Sequence, residues 1–127
     1  FATRIAGYGQ RERNFTRDRA LSVLWRRRAA LDPDQLAELR ASLRGALAAV
    51  PELWGWHVRL AWLLRGAGDL AACAESLDRA RAHVDRYTGE ARDDLRRALA
   101  AARPDDPAGL ERLVERLDAV RGAALEP

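Results

Sequence analysis

Apolar residues recur in steps of three and four along most of the chain, and no window shows the strict alternation of a half-buried strand, so the pattern predicts an all-α fold. A first helix is expected from about Thr16, its N-cap, to about Ala30, with Leu21, Leu24, Trp25 and Leu31 along one side. The second has a sharper start. Asp32 caps it, Pro33 takes the first helical position, and Gln35 stands at capping-box distance. Its apolar face is Leu36, Leu39, Leu43, Leu47 and Val50, and Pro51 favours a break. A third helix, about Glu52 to Leu64, is apolar around much of its circumference and so requires neighbours on several sides. Within it Trp54 and Trp56 point to different sides of one turn, which predicts that one of them is partly exposed.

Gly66-Ala67-Gly68 ends the third helix and Asp69 caps a fourth, whose Leu70, Cys73, Leu77, Ala80, Val84 and Tyr87 keep helical spacing until Thr88-Gly89. The fifth, about Glu90 to Ala102, opens on Glu90, Asp93 and Asp94 and closes toward Arg96, Arg97 and Arg103, as the helix dipole favours. Asp106-Pro107 begins the sixth, with Leu110, Leu113, Val114, Leu117 and Val120 as its stripe before Gly122. The three sharpest starts, Asp32, Asp69 and Asp106, are separated by 37 residues in each case. The same offset aligns Leu36 with Cys73 and Leu110, Leu43 with Ala80 and Leu117, and Trp25 with Trp62 and Leu99. The period therefore pairs the helices into three hairpins.

Residues Trp54 to Val84 resemble a tetratricopeptide repeat: Leu60-Ala61, Leu64, the Gly68-Asp69 turn, Cys73, Leu77 and Ala80 match that family's large and small positions at its spacing. The flanking pairs depart from it, since Leu24, Leu36 and Leu43 stand where the family uses small residues, and the 37-residue step exceeds the usual one of about 34. The resemblance implies three stacked antiparallel hairpins in a right-handed array over residues 16–122, between a flexible basic arm (1–15) and a C-terminal tail (123–127). It further implies an adaptor or scaffold, one part of a larger assembly, that binds a partner peptide or helix on a concave surface lined by the first helix of each pair. Carried over by the period, that surface comprises Leu21, Trp25 and Arg28, then Val58, Trp62 and Arg65, then Arg92, Leu95 and Leu99. Tryptophan and arginine are the usual hot-spot residues, although tryptophan at helical spacing also reads as core. The family's grip on a C-terminal carboxylate uses lysine and asparagine, and this chain has no lysine and only Asn14.

Composition changes the picture mainly through charge. The 127 residues suit one domain, and all 22 basic residues are arginine, giving a net charge of +3 against 19 carboxylates. That sum hides an asymmetry. Residues 1–30 hold eight arginines against Glu12 and Asp18, a net +6, while the remainder carries −3. The basic front end over residues 4–28, with Arg11, Arg13, Arg17 and Arg19 in the arm and its flank, reads as a solvated helix face or as a contact with a protein or a tether to an anionic membrane surface; nucleic acid is the weaker reading. No stretch approaches the roughly 20 apolar residues of a membrane span. Methionine is absent even at position 1, which suggests a processed product or part of a longer chain. The lone Cys73 forms no internal disulfide, so a cytoplasmic setting is expected, with a membrane-associated or periplasmic one if an anchor or signal precedes Phe1.

Catalytic chemistry is not signalled. His57, His83 and Cys73 lack metal-ligand spacing, His57 reads as a packed or surface histidine or as a polar groove contact, and His83 reads as an exposed helix residue. Ser22, Ser42 and Ser76 fall inside predicted helices, and the pairs Asp93-Asp94 and Asp105-Asp106 sit at helix starts, where capping explains them. A non-enzymatic module without cofactor or metal is expected.

Overall fold

The computed structural model describes residues 19–84 and 93–119, and all the regular structure among them is helical. The helices are α1 (19–26), α2 (Pro33–Ala49), α3 (Trp54–Gly66), α4 (Leu70–Val84), α5 (Asp93–Ala101) and α6 (Pro107–Ala119). The expected arm and tail, the end of the fourth helix after Val84 and the start of the fifth before Asp93 lie outside the described residues. The chain divides into two compact units, Phe1–Ala46 and Leu47–Pro127.

In the first unit α1 ends earlier than its sequence suggests. The Arg27 N–H is shared between the Val23 and Leu24 carbonyls, and a 3-10 turn over Arg28–Ala30 replaces the expected last turn of α-helix. Tightening of this kind is a common way to satisfy the end of a helix. Leu21 and Trp25, four residues apart, are buried, whereas Leu24 lies on the flank of that line and is exposed. The capping box of α2 forms in both directions: the Gln35 N–H donates to Asp32 Oδ1 at 2.8 Å and the Asp32 N–H to Gln35 Oε1 at 2.9 Å. Leu39, Leu43 and Ala46 are its buried residues in this unit.

The second unit is built around α3, which is buried from Trp54 to Leu64 with Trp62 alone part-exposed. Both Trp54 and Trp56 are buried, at 1% and 3% exposure, so neither is the exposed tryptophan that the sequence suggests. The reason is enclosure: α3 packs on both α4 and α6, and α5 in turn packs on α4 and α6. The turn between α3 and α4 satisfies two helix ends at once. Gly68, at φ +84°, is the left-handed residue of a Schellman motif in which its N–H meets the Arg65 carbonyl and the Asp69 N–H meets that of Leu64. Asp69 then accepts from the Ala72 N–H at 3.1 Å and starts α4. Asp106 repeats this at α6, accepting from the Gly109 N–H at 3.0 Å. The three aspartates 37 residues apart therefore make the same hydrogen bond, from the backbone N–H three residues on.

The far end of α5 is satisfied differently. Its last turn carries no basic residue, and Arg103 pairs instead with Asp105. The guanidinium comes from α4, where Arg81 donates to the carbonyls of Leu99 and Ala102 while also pairing with Asp78. Asp69→Ala and Asp106→Ala should each lower stability by about 1 kcal/mol in urea unfolding. Gly68→Ala should cost about 1–2 kcal/mol, because an alanine there is forced into the left-handed region.

Candidate functional site

Of the residues singled out for partner binding, Trp25 and Val58 are buried, at 2% and 0% exposure, Arg28, Trp62 and Arg65 are part-exposed, and Arg92 lies outside the described residues. Leu21, Leu95 and Leu99, expected beside them, are buried too. Arg19 is exposed; Arg11, Arg13 and Arg17 lie outside the described residues. In the first unit Trp25 and Arg28 form a local pair: the guanidinium sits 4.0 Å over the indole and donates to the Trp25 carbonyl at 3.0 Å. The exposed part of α1 carries Val23 and Leu24 next to Arg26 and Arg27, with no carboxylate between Arg19 and Leu31.

In the second unit Trp62 and Arg65 stand three residues apart on α3, hence on one face of the helix. Trp62 is held by α6, its Nε1–H donating to Glu111 Oε2. One turn before Trp62, in the middle of α3, Arg59 also reaches α6, with its Nη2 2.9 Å from Asp118 Oδ1 and its guanidinium 4.5 Å over the Trp56 ring. The two contacts occur in opposite order along α3 and α6, as an antiparallel seam requires. Arg59 is 8% exposed, so its charge depends on Asp118 and on the face of Trp56 for what water no longer supplies. Neither Glu111 nor Asp118 carries a signal in the sequence, where both read as ordinary polar positions of an amphipathic helix.

His57 takes the packed reading and His83 departs from the exposed one. His57 is packed, at 3% exposure, with Nε2 2.7 Å from the Pro51 carbonyl. His83 is half-buried rather than exposed and lies parallel to it, the ring centroids 6.2 Å apart. Burial pushes the His57 pKa down, the Pro51 hydrogen bond opposes this, and the charges of His83 and Arg79 add to it. Burial likewise pushes the Cys73 thiol up, against the nearby Arg65 and with Asp69, so the thiolate is disfavoured. Among the described residues no three of His, Cys, Asp and Glu gather in a group that could hold a metal ion. No described helix is long and apolar enough to cross a membrane.

What these residues offer is an indole face fixed by Glu111, with a guanidinium one turn away. Comparison with protein-family models, with curated proteins and with solved structures yields no match for this chain. The seam itself is open to measurement. Asp118→Asn should destabilise the protein by about 2 kcal/mol, below the roughly 3–5 kcal/mol of a fully buried pair, because Asp118 retains partial access to water. Thermal and urea unfolding of the variant would show it.

Proposed function

We propose that this chain is a non-enzymatic helical-repeat adaptor, similar in plan to tetratricopeptide arrays and serving as one subunit of a larger assembly. In this reading it binds a partner peptide or helix through α3, with Trp62 and Arg65 at the centre of the contact. The observation that carries the reading is the state of Trp62, the part-exposed residue in an otherwise buried stretch of α3, held in one orientation by Glu111. Its N–H is already engaged, so a partner meets the ring face, and Arg65 selects for a carboxylate beside the apolar group. Fixing an aromatic side chain before binding lowers the ordering cost of association. The recurrence of one cap geometry at Asp32, Asp69 and Asp106 supports the repeat plan. Trp25 and Val58 serve in this reading as support beneath the surface, consistent with their burial.

A second reading rests on α1 and the turn after it, whose exposed Val23, Leu24, Arg26 and Arg27 suit an anionic membrane surface better than a nucleic acid, since phosphates give the two apolar side chains nothing to meet. The two readings respond differently to salt. A photo-crosslinking residue at the exposed position 66, beside Arg65, would capture the partner and allow its affinity to be measured. On the adaptor reading Trp62→Ala and Arg65→Ala each weaken that affinity at least about tenfold, and moderate salt changes it little. If both variants lower the melting temperature and leave affinity untouched, Trp62 is a core residue and the adaptor surface lies elsewhere. Binding to phosphatidylserine vesicles that collapses between low and moderate salt would instead favour α1.

A further inference from the structure

The turn at Gly68 joins α3 and α4 at one end, and at the opposite end lie His57, in the first turns of α3, and His83, in the last turn of α4. We infer that this pair is a proton-operated latch on the open end of the hairpin, closed while His57 is neutral and loosened when it takes a proton. The tautomer follows from its partner. A carbonyl can only accept, so Nε2 of His57 carries the hydrogen that meets Pro51, and Nδ1 is the bare nitrogen. Nδ1 of His57 and Nδ1 of His83 are both buried and have no hydrogen-bond partner among the described residues. A proton arriving at His57 Nδ1 therefore creates a donor with no acceptor among the described residues, on a residue only 3% exposed to water.

The surrounding charges oppose that proton as well. From α4 the ring is faced by His83 and Arg79, and both repel a cation. From α6, the other helix against α3, the carboxylates Glu111 and Asp118 are engaged with Trp62 and Arg59. From the preceding turn only the Pro51 carbonyl bears on it, and that contact is already made. The folded protein thus holds His57 below its ordinary value of 6.5, and the unfolded chain takes up the proton first as pH falls. The stabilising effect is complete above 6.5, declines as pH drops from 6.5 toward the lower folded value, and then levels off. The latch is independent of the partner-binding proposal, although it closes the helix that carries Trp62.

The test uses the full chain. His57→Gln keeps a side-chain N–H for the Pro51 carbonyl but does not titrate. Melting temperatures between about pH 7.5 and about pH 5 should fall for the parent protein and fall less for the variant. In parallel, an NMR titration of the parent's imidazoles reads His57 directly even if the variant does not fold. Its midpoint is expected below 6.5 and is expected to rise toward 6.5 in His83→Gln. A His57 midpoint at or above 6.5, or an unchanged loss of melting temperature on acidification in folded His57→Gln, overturns the latch.

Discussion

A helix with apolar side chains on all its sides has no face to give to water, and most of the second unit follows from walling in α3. Two neighbours supply the wall, α4 and α6. Enclosure makes polar residues on α3 expensive, and the helix carries several. Arg59 is accommodated by Asp118 and the face of Trp56, and His57 by the Pro51 carbonyl. The indole N–H groups of Trp54 and Trp56 are buried with no partner among the described residues, each an expense of about 1–3 kcal/mol that the surrounding apolar burial offsets. Trp62 escapes that expense through Glu111 and through partial exposure. The placement of carboxylates on α6 is thus dictated by what α3 has buried.

The starts of α2, α4 and α6 were legible in the sequence because their causes are local. Asp32, Pro33 and Gln35 lie within four residues of one another and interact through their own backbone, as do Asp69 with Ala72 and Asp106 with Gly109. The Gly68 turn was legible for the same reason. Contacts made through space were not. Arg59 and Asp118 are separated by 59 positions, and Arg81 reaches the carbonyls that end α5 where the sequence pointed to Arg96, Arg97 and Arg103. Nothing in a periodic pattern tells which arginine of a lysine-free set will turn inward.

The candidate site divides along the same line. Spacing identified Trp62 and Arg65 as sharing a face of α3, and the structure keeps both part-exposed. Spacing could not tell that Val58, one turn earlier, would be fully buried, or that α6 would supply the acceptor for Trp62. A helical wheel gives direction but not the position of neighbours, so side chains of similar direction end in different surroundings. His83 shows the same limit: its place late in α4 reads as solvated until the first turns of α3 are laid against it.

The turn at Gly68 and Asp69 also bears on how the hairpin moves. Asp69 donates its N–H to the Leu64 carbonyl of α3 and accepts with its carboxylate from the Ala72 N–H of α4, so one residue belongs to both terminations. Helix ends ordinarily fray independently, each at little expense. Here the two ends are anchored on one residue, so a displacement of Asp69 weakens both terminations. The three-residue connection thereby couples the last turn of α3 to the first turn of α4.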